Sequence, residues 1–345
     1  FTETKLKERI ENSIIADICD FSTLSDAIKF AKPSIIIHMA AQPLVIESYH
    51  TPVETFKTNI IGTINILEIA RQIDTIKAIV NITTDKCYEN TGIKTGYKEY
   101  DPMGGHDPYS SSKGCSELVT ASYRRSFFND LGVGVASVRA GNVIGGGDWA
   151  VDRLIPDVLR AFEKSESVVI RNPLSTRPWQ HVLEPLSGYL VLAQELFLNG
   201  DEFAEGWNFG PKDEDCKPVS WILDKMVTYW GNNASWSLDK NNNPHEAGFL
   251  KLDCSKASNR LKWNPKWNLQ LTLKSIVDWH QLYTNGGDLK KQCLKEINTH
   301  FKNLDVSFNN FRNSFFEKVG FISINKGYLF FEVLSKSFKR GIGFL

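Results

Sequence analysis

The sequence predicts an α/β fold, in which helices cover both faces of a doubly wound parallel sheet. Short apolar runs rich in isoleucine and valine alternate with helical patterns through the first half of the chain. This alternation is typical of parallel sheets that are buried on both faces. The chain has 345 residues, of which 42% are hydrophobic, which is enough for a large core.

Four apolar runs are predicted to be buried strands, at 12–18, 34–41, 76–84 and 133–140. Two long helices are predicted over 52–72 and 108–128. In the first of them Pro52 suits the first turn, and apolar residues recur at helical spacing from Phe56 to Ile69.

The composition changes near residue 150, after which tryptophan, proline and asparagine become frequent and the elements become shorter. We therefore predict a sheet domain over 1–150 and a smaller substrate-binding lobe over 151–303, with 177–200 returning to the sheet domain. The remaining residues, 304–345, are rich in phenylalanine, serine, asparagine and lysine. Three interpretations of this tail stay open: an additional helix, a poorly ordered extension, or sequence outside the natural domain.

Charge and cysteine content exclude several classes of protein. Basic and acidic residues balance at 40 each, so nothing indicates a nucleic-acid or membrane-surface partner. No apolar stretch approaches the roughly 18 residues of a membrane span, and no signal peptide is expected. The six cysteines are scattered without a CxxC pair, as is typical of reduced thiols in a cytoplasmic protein. Because His38, His106 and His181 form no metal pattern, no metal is predicted.

The strongest local pattern places Tyr109 and Lys113 four residues apart in GGHDPYSSSKGCSE, at 104–117. On a helix this spacing puts both side chains on one face. An ammonium group favours the phenolate, so we expect Lys113 to lower the pKa of Tyr109 from its ordinary value of about 10. The pair would then act as an acid and base toward a hydroxyl group. A chance pairing on a surface helix is the alternative, which the preceding glycines disfavour.

The segment TTDKCY, at 83–88, closes the third predicted strand. Ligands of such folds bind beyond the carboxyl ends of the strands. A strand can end in any polar turn, but an acid and a base after two hydroxyl groups could also transfer protons. Asp85 and Lys86 would point to opposite sides of an extended segment, so a local bend is needed for both to reach one substrate. Burial would raise the pKa of Asp85 and nearby lysines would lower it, which leaves the direction open.

Three further segments complete the pattern: HMAAQPLV at 38–45, TNIIGTINILEIAR at 58–71 and RAGNVIGGGDW at 139–149. Together with the Tyr109–Lys113 pattern, they resemble the extended short-chain dehydrogenase/reductase family, from about residue 5 to about residue 300. The resemblance implies a Rossmann-type fold, NAD as cofactor and a nucleotide sugar as substrate. The residues that it implies for NAD binding are Asp17, Ile18, Ala40, Ala41, Gln42, Asn59, Thr83, Tyr109 and Lys113.

Within this family the sequence after Thr84 is similar to that of the 4,6-dehydratases, and with RPWQHVLEPL at 177–186 it is most similar to those acting on CDP-glucose. The resemblance implies a lyase that transfers a hydride internally through NAD and makes a deoxysugar for surface polysaccharide, such as the O-antigen of lipopolysaccharide. Thr84 would bind the sugar 4-hydroxyl, and Tyr109 would remove its proton. Asp85, held protonated, would protonate the departing C6 hydroxyl, while Lys86 or a water that it positions would move the C5 proton.

Three residues are candidates for binding the substrate: Asn142, Arg153 and Arg177. Guanidinium groups suit a diphosphate because they bind its oxygens in pairs. A surface ion pair is the alternative for either arginine. The resemblance also implies a homodimer, in which the helices at 52–72 and 108–128 form a four-helix bundle.

The sequence lacks a glycine-rich turn at a helix start, where the pyrophosphate of a dinucleotide would bind. Judging from typical βαβ lengths, we expect roughly the first 40–50 residues of such a domain to lie before Phe1. On that interpretation the chain binds NAD weakly and exposes an edge of its sheet, which favours aggregation. Two alternatives to a dehydratase stay open: an epimerase or reductase of the same fold, and an inactive fragment that at most binds nucleotide sugars.

Overall fold

The computed structural model describes residues 3–5, 12–231, 233–239 and 249–301, and the backbone of 320–325 and 328–333. Its strands are β1 (Asn12–Ile15), β2 (Ile35–His38), β3 (Ala78–Ile82), β4 (Gly134–Ala140), β5 (Asn142–Ile144), β6 (Ser167–Ile170), β7 (Thr176–His181), β8 (Gly206–Phe209), β9 (Cys216–Pro218), β10 (Ser235–Leu238), β11 (Gly320–Asn325) and β12 (Tyr328–Val333). Its α-helices are α1 (Phe21–Ala31), α2 (Val45–His50), α3 (Pro52–Phe56), α4 (Gly62–Ala70), α5 (Pro108–Tyr123), α6 (Asn129–Leu131), α7 (Leu154–Glu163), α8 (Leu183–Asn199), α9 (Val219–Trp230), α10 (Ser255–Arg260), α11 (Leu269–Thr284) and α12 (Leu289–Phe301). In these ranges no helix combines the length and the apolar composition that a membrane crossing requires.

Within the described residues the main sheet has seven strands, in the order β1-β12-β11-β2-β3-β4-β8. From β11 to β8 every neighbouring pair is parallel. In contrast, β12 runs antiparallel to both of its neighbours. The predicted α/β fold with a parallel sheet is therefore confirmed.

Alternate residues of the strands face two separate apolar clusters, one on each side of the sheet. Ile36, Ile79 and Val135, which are neighbours across three strands, pack with residues of α1 and α4. Val80 and Ala136, the next residues along two of these strands, pack instead with residues of α8. Burial on both faces explains why the strands read as uninterrupted apolar runs.

The second half of the chain completes the sheet. Leu192 and Leu196 of α8 are fully buried in the same cluster as strand residues. The edge strand β8 lies parallel to β4, and its Trp207 and Phe209 side chains are buried in that cluster. We predicted that only 177–200 of the second half would belong to the sheet domain. The structure also places β8 in the sheet, so more of the second half lies there than we predicted.

Most of the remaining elements of the second half pack around their own apolar core. Strands β5, β7 and β9 form one small sheet, and β6 and β10 form another. Helices α7, α9 and α11 contribute most of the buried side chains between these sheets, including Leu159, Met226 and Ile276. This second lobe places β5, β7 and the start of α7 beside the carboxyl ends of the main strands.

The two long helices predicted from the sequence both form, but each contains a π-helical turn. The first consists of α3, a π turn at Lys57–Ile61, and α4. The second consists of α5, a π turn at Arg124–Phe128, and α6. Asp107 caps α5, because its carboxylate accepts a hydrogen bond from the backbone N–H of Ser110 at 2.9 Å. This cap fixes the helix start and so places Tyr109 in the first turn.

The structure pairs β2 with a further strand and places β1, whose residues are mostly exposed, at that edge of the sheet, so the predicted exposed edge stays a prediction. β11 lies parallel to β2, with Ile322 opposite Ile36 in register, and β12 pairs with β1. Paired strands satisfy the backbone groups that an edge would otherwise leave open. Of the tail predicted at 304–345, the structure describes only these two strands, and its other residues lie outside the described ranges.

Leu192→Ala is expected to destabilise the folded protein by about 2–5 kcal/mol, because it empties a fully buried position between α8 and the sheet. Urea unfolding followed by circular dichroism measures this change in the free energy of unfolding. Leu198→Ala, on the same helix but 52% exposed, is the matched control and should change it by less than about 0.5 kcal/mol. Equal losses in the two variants would contradict the packing of α8 on the sheet.

Candidate active site

The loop that follows β2 is tied to both long helices by Asn59. The side-chain oxygen of Asn59 accepts the backbone N–H of Gln42 at 2.8 Å. Its amide group donates to the Gln42 carbonyl at 3.1 Å and to the Ser112 hydroxyl at 2.8 Å. The buried Asn59 therefore positions the loop against α5, and its predicted contact with NAD stays a prediction.

The segment after β3 supplies the bend that the sequence required. It turns at once into a 3-10 helix at Asp85–Cys87. Thr84 caps this turn, since its hydroxyl accepts the Lys86 N–H at 3.4 Å and donates to the Asp85 carboxylate at 3.1 Å. Asp85 is only 2% exposed, whereas Lys86 is half-buried. Two successive residues can therefore both serve one site.

Burial controls the protonation of Asp85. Its Oδ2 atom is buried and has no hydrogen-bond partner among the residues that the structure describes. Removal from water raises the pKa of this carboxyl to about 6, against the opposing effects of Lys86, Thr84 and Arg177. The sequence left open the direction in which the pKa of Asp85 shifts, and the shift is upward. Asp85 therefore holds its proton more readily than an exposed aspartate does.

Tyr109 lies close enough to this turn for the Thr84 side chain to favour its phenolate. Burial raises the pKa of Tyr109 to about 12, although Thr84 and Arg153 act to lower it and Asp85 acts to raise it. The prediction that Lys113 lowers this pKa is therefore wrong in this structure. The desolvation of a fully enclosed phenol outweighs the favourable neighbours.

Lys113 is directed at the end of β3. Its Nζ donates to the Ile82 carbonyl at 2.9 Å. Burial lowers its own pKa to about 8, although Glu117 on the next turn favours the charged form. The two residues of the Tyr109–Lys113 pattern thus face the same strand end, as their spacing predicts, but the ammonium is bonded to the backbone there.

Two arginines of the second lobe act on the two acid–base residues. Arg153, at the start of α7, lowers the pKa of Tyr109, and Arg177 of β7 lowers the pKa of Asp85. Both arginines predicted to bind the substrate diphosphate therefore lie close enough to shift pKa values at this site. They bring positive charge to the mouth of a site whose interior groups favour their neutral forms.

Asn142 and the GGGD segment lie at the border of the same lobe. Asn142 begins β5, is partly buried, and stands opposite Trp179 in register. Asp148, at the end of the GGGD segment, accepts a hydrogen bond from Arg153 at 3.2 Å. This contact is an ion pair, which was the alternative to diphosphate binding for this arginine. Arg153 thus forms a local ion pair and also lies near Tyr109.

Two of the residues predicted to bind NAD, Asp17 and Ile18, follow β1. Asp17 is exposed, and its carboxylate accepts the N–H of Cys19 at 2.9 Å. Ile18 is buried, and its carbonyl accepts the side-chain amide of Asn65 at 3.1 Å. A Cβ on Gly62 would lie 2.7 Å from the Ile18 side chain, so glycine is needed for this close approach of α4. An exposed carboxylate is thus held on a well-anchored backbone.

The other predicted NAD contacts differ in character. Ala40 and Ala41 follow β2 and are buried, and their contact with NAD stays a prediction. Thr83 instead points into the protein, where its hydroxyl bonds Glu117 at 2.5 Å and the Val138 carbonyl at 2.9 Å. A contact of Thr83 with the cofactor stays a prediction.

Sequence reasoning missed a buried ion pair beneath the site, between Glu117 of α5 and Arg139 of β4. Two hydrogen bonds of 2.9 Å join the two side chains. Burial by itself would raise the pKa of Glu117, but Arg139 and the hydroxyl groups of Ser137 and Thr83 together outweigh it, and the pKa is lowered. Two signals were present: Glu117 stands four residues after Lys113 on the same helix face, and Arg139 is a charge inside an apolar run.

Tyr189 of α8 was also missed. It is buried, and its ring packs edge-on against Phe209 with centroids 5.5 Å apart. Burial raises its pKa, and both Tyr109 and Asp85 add to the effect, so a second phenol lies near both residues. In sequence it is one aromatic residue in an apolar helix, which gives no signal of a site.

Known proteins resemble this chain in sequence. The family model described as GDP-mannose 4,6 dehydratase matches residues 3–276. CDP-glucose 4,6-dehydratase of Salmonella typhimurium is 57% identical over 305 residues, which cover 87% of this chain and 85% of that protein. dTDP-glucose 4,6-dehydratase of Haemophilus influenzae is 25% identical over 290 residues, which cover 76% of this chain and 81% of that protein.

Solved structures share the fold. UDP-glucose 4-epimerase of Thermotoga maritima with UDP-glucose gives a TM-score of 0.69 at 22% identity, covering 78% of this chain and 84% of that one. dTDP-glucose 4,6-dehydratase of Bacillus anthracis in complex with NAD gives a TM-score of 0.65 at 22% identity, covering 79% and 80%. At these identities the likeness shows the fold alone.

Asp85→Asn is expected to change how stability depends on pH. Because the folded pKa of about 6 lies above the ordinary value of 3.8, the folded state prefers the protonated form. This preference stabilises the protein fully below pH 3.8 and is lost as the pH rises through 6. Wild type therefore loses on the order of 3 kcal/mol of stability across this window that the variant does not lose.

Thermal unfolding at pH 4 and at pH 8 measures this difference. The variant should gain stability relative to wild type on going to pH 8. Asp26→Asn, at an exposed carboxyl of α1, is the control and should follow wild type at both pH values. A constant gap between Asp85→Asn and wild type would show that Asp85 is not an acid of raised pKa.

Proposed function

The chain belongs to the family of NAD-dependent nucleotide-sugar epimerases and dehydratases, and on this premise we propose that it dehydrates CDP-glucose. The product is CDP-4-dehydro-6-deoxy-glucose, and the enzyme is a hydro-lyase. The hydride removed from C4 returns at C6, so no net oxidation occurs. The observation that carries the proposal is Asp85, a buried acid of raised pKa that follows Thr84 and lies close enough to Tyr109 to act on its pKa.

The side chains at the sheet edge fit NAD. The exposed carboxylate of Asp17, beside the buried Ile18, offers an acceptor for the adenine end. Ala40 and Ala41 bring small side chains to the loop after β2, and the Lys113 ammonium offers donors for hydroxyl groups. When bound, NAD supplies the acceptor and later donor of the hydride.

Tyr109 takes the proton of the 4-hydroxyl as the C4 hydride leaves. A phenol with a pKa of about 12 is a weak acid, so its conjugate base forms only with help from its surroundings. Thr84 and Arg153 give that help, since both favour the phenolate. A protonated Asp85 helps too, because the charge on its ionised form would raise the pKa of Tyr109 further.

Elimination of water follows because the 4-keto group acidifies the proton on C5. Lys86, or a water that it positions, takes that proton, and Asp85 gives its own proton to the C6 hydroxyl, so that a C5–H bond and a C6–O bond break together. Asp85 suits this role because burial keeps it protonated at a pH where an exposed aspartate is ionised. The proton returns to C5 when the hydride returns to C6.

Arg153 and Arg177 are proposed to bind the diphosphate. Bidentate contacts to guanidinium groups are the usual means of holding such oxygens. The phosphate charge would offset the charge of Arg177, which lowers the pKa of Asp85 in the resting enzyme. Substrate binding would therefore raise this pKa and keep the acid protonated until water leaves.

A 4-epimerase or a reductase of the same fold is the alternative function. Neither reaction expels a hydroxyl group, so neither needs an acid at position 85. The Asp85 carboxyl is buried and accepts one side-chain hydrogen bond, from Thr84. It therefore favours the dehydratase over the epimerase and the reductase.

We propose in addition a cytoplasmic homodimer that supplies a deoxysugar for surface polysaccharide, such as O-antigen. The six cysteines are free, which suits a reducing compartment. Large apolar side chains are exposed on the two long helices, at Val53, Ile61, Leu118 and Phe127. A four-helix bundle with a second copy would cover these side chains.

Incubation with CDP-glucose and catalytic NAD should lower the mass of the nucleotide sugar by one water, without accumulation of NADH. In Asp85→Asn, water loss should fall by about 100-fold or more, because the general acid is gone, while C4 oxidation stays measurable as NADH absorbance. Mass spectrometry and absorbance follow the two steps separately. Asp26→Asn is the control and should dehydrate at the wild-type rate.

Two outcomes would count against this scheme. Normal dehydration by Asp85→Asn would remove Asp85 from the acid role. An unchanged mass with a new C4 epimer, formed by the wild type, would identify an epimerase.

Leu118→Arg is expected to convert a dimer into a monomer, because it places a charge on the helix face that the second copy would cover. Sedimentation velocity measures the change in mass. Leu198→Arg, at an exposed leucine of α8, is the control and should remain dimeric. A wild-type protein that sediments as a monomer at micromolar concentration would contradict the proposed assembly.

A further inference from the structure

Both ends of the segment that carries Asp85 are hydrogen-bonded to the same buried ion pair. At its start, the Thr83 hydroxyl donates to Glu117 Oε1 at 2.5 Å. At its end, Arg139 Nη1 donates to the Tyr88 hydroxyl at 2.7 Å. Only residues 84–87 lie between these two points, and they contain the 3-10 turn.

Tyr88 is held on more than one side. The Arg139 guanidinium lies over its ring at 5.0 Å from the centroid. Its hydroxyl donates in turn to the side chain of Asn208, on β8, at 2.7 Å. Arg139 also donates to the Glu99 carbonyl at 3.0 Å. The end of the segment is thus fixed to the sheet as firmly as its start.

The ion pair itself has little freedom to rearrange. Glu117 Oε1 accepts from Thr83 and Arg139, and Oε2 accepts from Ser137 at 2.5 Å and again from Arg139. Both carboxylate oxygens therefore have two donors each. Charged hydrogen bonds are strong in a buried environment, and a satisfied network has no better arrangement nearby.

We infer that the Glu117–Arg139 ion pair is a positioning device, which holds the turn at 84–87 closed so that the Asp85 carboxyl stays away from water. The inference rests on the proposed function in that it concerns the acid of the proposed reaction. Neither Glu117 nor Arg139 touches the reacting groups, so both are positioning residues. Their task is to keep the acid buried, and through burial to keep it protonated.

Releasing the ends of the turn has a consequence that loss of stability alone does not have. Water would reach the carboxyl, and the pKa of Asp85 would fall toward its ordinary value. The other titratable or charged groups that act on Asp85 would keep their chemical identity; they are Lys86, Cys87, Tyr109, Arg177 and Tyr189.

The test cuts the two links and leaves the ion pair intact. The double variant Thr83→Val, Tyr88→Phe removes both hydroxyl groups, while Arg139 keeps its bonds to Glu117 and to the Glu99 carbonyl. Ser137→Ala is the matched control, because it removes a third hydroxyl that donates to Glu117 but lies on β4. Tyr88→Phe alone serves as a milder variant that frees one end only.

The first measurement is a titration of the Asp85 carboxyl carbon by NMR, in protein labelled with ¹³C-aspartate and assigned by the signal lost in Asp85→Asn. The midpoint should fall by about one pH unit or more in the double variant, partway in Tyr88→Phe, and not at all in Ser137→Ala. It needs no substrate, so it decides the inference even if wild type fails to dehydrate CDP-glucose. That failure would overturn the proposed function alone.

The second measurement is the pH profile of water loss from CDP-glucose. In the double variant kcat should fall by about 10-fold or more, with its alkaline limb moved to lower pH and KM little changed. Ser137→Ala should keep the wild-type profile. An unshifted midpoint in the double variant, or an equal shift in Ser137→Ala, would overturn the inference, because the ion pair would then be structural only.

Discussion

A buried ion pair persists only if the groups around it supply its hydrogen bonds, and the Glu117–Arg139 pair places this constraint on much of the sheet domain. Its hydrogen-bond partners are Ser137 of β4, Thr83 and Tyr88 in the segment after β3, and the Glu99 carbonyl. Removing one member would leave an uncompensated buried charge, at a cost of about 3–5 kcal/mol. The helix that carries Tyr109 and Lys113 and the turn that carries Asp85 are therefore fixed relative to each other.

The titratable groups of the site share one property, which is that burial favours their neutral forms. The pKa of Asp85 and that of Tyr109 are raised, whereas the pKa of Lys113 is lowered. A dry interior of this kind strengthens the effect of each charge that a ligand brings. The arginines at its mouth, Arg153 and Arg177, are the groups through which an anionic substrate can change the interior.

Much of the fold was predictable because its signals are local. Apolar runs and helical spacing predict β2, β3, β4 and the two long helices, and the spacing of Tyr109 and Lys113 places both at one strand end. Burial was not predictable, since it depends on how distant elements pack. The pKa of Tyr109 was therefore predicted in the wrong direction, and that of Asp85 was left open.

Other features were missed for related reasons. The 3-10 turn at 85–87 is too short to leave a periodic pattern. The partner of Glu117 lies on another element, and nothing in the sequence of β8 indicates which sheet it joins.

β8 also sets the order in which the chain can fold. During synthesis β4 leaves the ribosome long before 206–209, so its outer edge has no partner until most of the second lobe has been made. Closing such a long loop is slow, and an unpaired strand edge meanwhile invites pairing with other chains. The second half of the chain is thus needed to finish the sheet, and a fragment that stops at residue 150 would retain Asp85 and Tyr109 on an unfinished scaffold.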